Sequence, residues 1–521
     1  MRTKSLMAGV SAAALLALAA GGAHAHAVQN AQQDAGAPYQ QPTAQQMTMS
    51  DLQDKLEELQ RQIDFMKQSI AEQTGVIAPI AAAPKATLAN ARPGWASADG
   101  NFTAQLNGVM HFDAGNYFQK GNLPTQIAGA SRDLNGGTNA RRARFGFGGK
   151  AFGDFDYNFL YEFGGSGTED AGHIQELWVQ YTGFLKPFHV KVGYFEPLVG
   201  MEANVSTNSL ALLERASPAE AARNVAAGDT RASIQYFGND DFKSEISPGT
   251  KVHWLLSGAV TGNTASTVNS AGAFASQPFD EQLAVIGRAS IAPYHGTDWT
   301  VHLGANVQYV LNPNDNTGTG GAAAGKYTVQ LRDRPELRLD GTRLVDTGAL
   351  NAAHVTVYGL EAGAQFKNLY VQGEYFKYEV DGNGATPATA SPDFDGYYVQ
   401  ASYLLTGESR VYNAAAGAFN GPVVAHPFNW SANTCGAFEI AGRYSDLDLN
   451  SNAGSAGAAT PVGGVRGGEQ KVYGASLNWY VNPIIRFMLQ GQHVQIDRLN
   501  ATGLSLNQSY DTVALRSQLA F

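Results

Sequence analysis

From Asn101 onward the side chains of this chain alternate in character. In Phe102–Ala114 the even positions are Phe102, Ala104, Leu106, Gly108, Met110, Phe112 and Ala114, and the odd positions are Thr103, Gln105, Asn107, Val109, His111 and Asp113. A period of two belongs to a strand with one apolar and one polar face. The pattern returns in Phe155–Phe163, where aromatic residues alternate with Asp156, Asn158 and Glu162, and again in Trp299–Tyr309. About sixteen such segments of roughly 9–13 residues run from near Phe102 to near Ser509, a length that fits tilted membrane strands. Tight joins such as Gly153-Asp154, Lys367-Asn368 and Asn482-Pro483 alternate with long ones such as Glu196–Asp229, Val310–His354 and Asp448–Gly468. Short turns on one side and long loops on the other make the plan of an outer-membrane barrel. The expected fold is therefore all-β, a 16-stranded antiparallel transmembrane β-barrel preceded by a coiled-coil helix.

Composition agrees. Charged residues are 15%, with 45 Asp+Glu against 35 Lys+Arg, below the roughly 25% usual in soluble domains. The acidic balance argues against nucleic acid as a partner. A single cysteine, Cys435, leaves no intrachain disulfide and no cysteine-based metal cluster. No H-E-x-x-H, G-x-S-x-G or Walker loop is present, so the chain reads as neither an enzyme nor a cofactor protein.

The amino terminus carries Arg2 and Lys4, then the apolar run Leu6–Ala20 and the small-residue site Ala23-His24-Ala25. These are the parts of a secretory signal peptide, cleaved after Ala25 or Ala27. The reading that follows assigns 1–25 to the signal, 26–47 to a linker, 48–74 to a coiled-coil helix, 75–98 to an Ala/Pro linker and 99–521 to the barrel. Leu52, Leu56, Leu59, Ile63, Met66 and Ile70 form the heptad seam, with Gly75 as the expected stop. Such a helix self-associates, or else lies as an amphipathic helix on the rim.

If the apolar phase faces lipid, the polar phase faces the lumen. Arg142, Arg144, Lys150, Arg231, Arg288 and Arg443 fall on it and are the candidate pore-lining cations. So many charges imply a wet bore. Two long loops could narrow it. The one after the fifth strand contains a helix-like piece, Ser209–Glu214. The one after the ninth holds Arg332, Arg334, Arg338 and Arg343 within a dozen positions. Guanidinium forks match phosphate and carboxylate oxygens, and rings of Arg select anions in pores. These four are the candidate anion-binding residues; a solvated lid is the alternative.

Several stretches in order, VGYFEPLVGMEANVSTNSLALLER, LRDRPELRLDGTRLVDTG, YYVQASYLLTGESRVY, GAFEIAGRYSDLDL and LNWYVNPIIRFMLQ, resemble the phosphate-selective porin O/P family of Gram-negative outer membranes. The resemblance implies a homotrimer, an inward-folded third loop and an arginine ladder, carried here onto Arg332, Arg334, Arg338 and Arg343. It also implies inorganic phosphate or other small anions as solute. Members also use a lysine cluster at the constriction; Glu196–Asp229 has no lysine and offers Arg215 and Arg223 instead. A general non-selective porin and a structural tether between outer membrane and cell wall, working through a periplasmic coiled coil, stay open. The terminal Phe521 looks like the signal read by the barrel-assembly machinery, which with outer-membrane lipid completes the expected partners.

Overall fold

The alternation of residues is realised with the usual order of inside and outside reversed. The computed structural model describes residues 49–82, 84–89, 91–121, 123–124, 131–165, 172–184, 186–228, 230–245, 249–264, 282–313, 328–383 and 391–521. The expected signal peptide and first linker lie outside these residues. Two units divide after Ala81. In the first, helix α1 spans Met49–Ala82. It passes through Gly75, the expected stop. A glycine inside a helix costs about 1 kcal/mol relative to alanine, which does not end it. Leu56, Leu59, Ile63, Met66 and Ile70 are all exposed on the single chain.

The second unit is the barrel. Its strands are β1 (Thr103–Gln119), β2 (Gly137–Ala151), β3 (Phe155–Glu162), β4 (His173–Tyr181), β5 (Phe188–Phe195), β6 (Arg231–Lys243), β7 (Lys251–Thr264), β8 (Leu283–His295), β9 (Trp299–Asn312), β10 (Leu350–Phe366), β11 (Leu369–Gly382), β12 (Asp393–Leu404), β13 (Ala437–Ser451), β14 (Val465–Tyr480), β15 (Ile485–Asp497) and β16 (Gln508–Ala520). Each pairs antiparallel with its neighbours in the chain. β16 returns to β1, from Tyr510↔Gln119 to Ala520↔Val109, and closes a 16-stranded barrel. Closure matters because a sheet edge in hydrocarbon would leave backbone groups unpaired.

Exposed Met110, Phe112, Leu303, Leu360, Val399 and Leu489 each neighbour a buried polar residue: His111, Asp113, His302, Glu361, Gln400 and Gln490. This apolar exterior suits lipid. Aromatic rows mark its two ends. Phe438, Trp479 and Phe487 stack at 6.0 and 5.7 Å near the short turns. Tyr397, Tyr444 and Tyr473 follow one another at 5.9 and 4.9 Å near the long loops.

The lumen is only partly empty. Three connections have described residues that turn inward: 196–228 after β5, 328–349 after β9 and 405–436 after β12. The last is on the side of the short turns, where the pattern of joins predicts a tight one. The first carries helix α2 (Ser217–Ala226). The helix-like piece expected at Ser209–Glu214 is not helical. Leu210–Leu213 run as irregular anchors, and the helix begins only where Pro218 supplies a preset first turn. Ala219, Ala222 and Val225 of α2 pack on Val355, Val357, Phe376 and Leu447 from the inner wall. On this side the barrel is filled and apolar. Leu212 reaches the wall because β14 has Gly474 there; a Cβ would come within 2.9 Å of Leu212 Cδ2.

The segment read as a second linker also has structure. Lys85–Ala89 and Arg92–Ala96 form an antiparallel hairpin. Its second strand pairs with the start of β1 through Gly94↔Gln105, Trp95↔Ala104 and Ala96↔Thr103. Those first residues of β1 lie beyond the end of β16, so the hairpin covers an edge that would otherwise be bare.

Candidate functional site

The loop after β5 is held against one half of the barrel by hydrogen bonds from the wall and from the inward connection after β12. Leu213 N–H donates to Gln490 Oε1 at 2.7 Å, and Asn478 Nδ2 and Ser476 Oγ donate to Ala211 O at 2.9 and 2.7 Å. Arg486 Nη2 donates to Leu210 O at 2.8 Å, and Arg410 Nη1 to Ser209 O at 2.9 Å. At its entry, the N–H groups of Met201 and Glu202 donate to the two oxygens of Glu374 at 2.8 and 2.9 Å. Buried polar groups satisfied in this way fix the loop. It leaves a cavity of about 700 Å3 on the opposite side, against β1–β5.

The wall of that cavity is rich in arginine for a local reason. Between β1 and β2 the register shifts, His111 facing Arg142 while Phe112 faces Ala140. Arg141 is thus the extra residue of a β-bulge, which re-aims a side chain. Arg141 and Arg142 both turn into the lumen, and Arg144 follows two residues on. Strict alternation would have put Arg141 in lipid. The Arg141-Arg142 pair was the signal, since an arginine on the lipid face costs about 2–4 kcal/mol at mid-membrane.

Glu214 is the hub. Its carboxylate takes Arg141 Nε at 2.9 Å, Arg142 Nη2 at 3.4 Å, Arg516 Nη2 at 2.7 Å and Arg338 Nε at 3.8 Å. Arg516 is also held by both oxygens of Asp113, at 2.7 Å each, so the guanidiniums of this cluster are interleaved with carboxylates. Arg338 also donates to Glu220 Oε1 at 2.8 Å and lies 3.8 Å from Asp333. Arg144 pairs with Glu162 at 2.6 Å. Arg223 pairs with Glu196 and with Glu220. Arg215 donates to the carbonyls of Glu202, Ala203 and Val205. Lys191 Nζ sits 4.0 Å from the Trp178 ring centroid and 4.4 Å from that of Phe195. Burial pushes the Asp333 carboxyl up to about 7, against the pull of nearby Arg338.

The expected site residues separate into three groups. Arg142, Arg144 and Arg338 line the large cavity, and Lys150, paired with Asp156 at 3.0 Å, lines a smaller one of about 440 Å3. Arg231, Arg288 and Arg443 line neither. Arg231 donates to Gly262 O and Asn224 O. Arg288 donates to Glu361, Ala416 O and Gly417 O. Arg443 pairs with Glu202 and Glu336. Each is buried because the inward loops bring carboxylates and carbonyls to it, so charge on the polar phase did not by itself mean contact with water. Of the arginine cluster after β9, only Arg338 reaches the cavity. Arg332 is exposed, Arg334 is buried and donates to Gly341 O at 3.3 Å, and Arg343 is half-buried outside the lining. Arg141, Lys191, Arg215 and Arg223 line the cavity as well.

Residues 105–521 match the family described as phosphate-selective porin O and P. Porin O of Pseudomonas aeruginosa is 26% identical over 371 residues, covering 69% of this chain and 77% of that protein. An uncharacterized protein of Caulobacter vibrioides is 26% identical over 417 residues, covering 78% of this chain and 71% of its own length. Among solved structures, an anion-selective porin from Comamonas acidovorans has 13% identity and a TM-score of 0.43, over 81% of this chain and all (100%) of that one. The outer-membrane channel DcaP of Acinetobacter baumannii has 10% identity and a TM-score of 0.40, over 81% and 98%. With sixteen strands closed on themselves and the match running from the first strand to the last residue, the chain belongs to the phosphate-selective porin O and P family and is an outer-membrane porin.

Proposed function

We propose that the protein is a passive diffusion channel that favours small anions, phosphate among them, and that solutes pass between the loop after β5 and the wall β1–β5. One observation carries this reading: among the described residues, the lining of the large cavity holds eight Arg or Lys side chains and five Glu side chains. Fixed positive charge in a narrow, poorly screened space raises the local concentration of anions and repels cations. Within this lining Arg141, Arg142 and Arg338 converge on Glu214. An anion there meets forked donors already oriented by their carboxylate. The family's name points to phosphate. The carboxylates interleaved with the arginines favour a second reading, a general porin with only mild anion preference.

Planar-bilayer recordings decide between them. The reversal potential in a potassium chloride gradient should show anion preference, and added phosphate should block chloride current at low concentration. Cation preference would overturn the anion reading, and absence of phosphate block with anion preference intact would leave the general porin. A steady absence of current would leave the structural tether. The exposed heptad stripe of α1 supports self-association, and the eight-residue β5 supports a homotrimer: at about 3.3 Å per residue and a tilt near 45° it spans under 20 Å, short of the ~25 Å apolar band of a membrane barrel. A neighbouring copy would cover that sector.

A further inference from the structure

The hairpin Lys85–Ala96 does more than cover the edge of β1. Thr87, Arg92 and Trp95 line the smaller cavity, together with Asn107, Asn158 and Trp178 of the barrel wall. Arg92 also lines the large cavity, as do Asn107, Asn158 and Trp178. The two spaces therefore meet at these four residues, and the hairpin supplies one of them. Arg92 stands directly after the hairpin turn, which Ala91 makes with φ of 61°. The hairpin enters at the short-turn end of β1, where Ala96 faces Thr103, and carries Arg92 inward toward the level of Asn107; the short turns mark the periplasmic side of a barrel of this kind.

The guanidinium of Arg92 differs from the others in the passage. Arg141, Arg142, Arg144, Arg223 and Arg338 each have a carboxylate partner, and Arg215 is spent on three carbonyls. Among the described residues, no carboxylate lies within ion-pair distance of Arg92, and its side chain is exposed. A charge without a counter-charge acts on mobile ions at full strength, limited only by salt screening. We infer that Arg92 is a selectivity residue of the periplasmic mouth, and that the hairpin is the element that holds it there. It would hand anions between the arginine-lined cavity and the periplasm. This inference rests on the anion-channel reading and adds a second, spatially separate determinant to it.

The test uses the full-length protein in planar bilayers at about 0.1 M salt, where the screening length is near 10 Å. Arg92→Glu should lower the chloride-to-potassium permeability ratio by about threefold or more and change the current–voltage asymmetry, because the charge lies at one mouth only. Arg92→Ala should give a smaller change of the same sign. Lys85→Glu makes the same charge change at the other end of the hairpin, on an exposed residue that lines neither cavity; it should leave both readouts as in the wild type. Wild-type behaviour of Arg92→Glu overturns the inference, and so does an equal shift in Lys85→Glu, which would reduce the effect to general surface charge. Unchanged single-channel open times and unchanged oligomer on gels confirm that the variants are folded. A wild-type protein that prefers cations defeats the anion-channel reading itself; a further shift toward cations in Arg92→Glu would still place Arg92 at the mouth.

Discussion

Arg141 Nε donates to Glu214 Oε1 at 2.9 Å across the lumen, from a bulged strand to an inward loop. The pair shows how the site is built: the wall brings cations, and the loop brings one carboxylate to hold several of them. Glu214→Gln keeps the shape and removes the negative charge. Arg142, Arg338 and Arg516 then lose their shared partner too. The anion-to-cation permeability ratio should rise, read from the reversal potential. Stability should fall by about 3–5 kcal/mol, the usual cost of breaking a buried ion pair from one side, read as a lower thermal unfolding temperature in detergent. An unchanged permeability ratio would mean that Glu214 does not set the charge of the passage.

Acid should also raise anion preference, through Asp333. Its carboxyl is pushed up to about 7 by burial, so it is mostly ionised at pH 8 and mostly protonated at pH 6. In the ionised form it opposes Arg338, 3.8 Å away. Glu220 and Arg334 also face it, with fixed sign over this range. Lowering the pH from 8 to 6 should therefore raise chloride preference, and Asp333→Asn should hold the acid-side value throughout. His173 lines the cavity in both proteins, so the difference between them isolates Asp333. Chloride is the ion to use, because phosphate itself titrates in this range. A pH response that survives in Asp333→Asn would assign it elsewhere.

Much of the barrel was legible because a strand in lipid has one simple code. Phe102–Ala114 announces its two faces by alternation alone, and the same holds for Trp299–Tyr309. The interior was harder to read. Alternation says that Arg288 and Arg443 point inward; it does not say whether water, Glu361 or Glu336 meets them there. That depends on contacts distant in sequence, such as Arg443 with Glu336, 107 residues apart. The inward course of residues 405–436 had no local signal, since Arg410 and Glu439 form their pair only once β12 and β13 are in place. Clustering in sequence misled for the opposite reason. Arg332, Arg334, Arg338 and Arg343 lie on an irregular loop, where neighbours in sequence point in unrelated directions.

The short wall at β5 predicts where copies of the chain meet. Val192 is exposed on the outer face of β5, and Leu360 is exposed on β10. Tryptophan is at home in lipid but too large for a packed protein interface. Val192→Trp should lower the temperature at which the oligomer separates on detergent gels, while Leu360→Trp should leave it unchanged. Equal behaviour of the two variants would remove β5 from the interface.

Arg338 and Arg332 belong to one loop and carry the same charge, yet only Arg338 enters the cavity, where it joins Glu214 and Glu220, with Asp333 3.8 Å away outside the lining. Replacing either by alanine changes the net charge equally, so any difference between them must come from position. With Arg338→Ala, phosphate should block chloride current less well by about tenfold, the loss of one charge-assisted hydrogen bond of about 1.5 kcal/mol. With Arg332→Ala, block should match the wild type, because an exposed guanidinium outside the lining is screened by salt over about 8–10 Å. The ordering is what matters. If Arg332→Ala weakened block as much as Arg338→Ala, anions would be held on the outer surface of the loop, and the convergence of arginines on Glu214 would serve only to hold the loop in place.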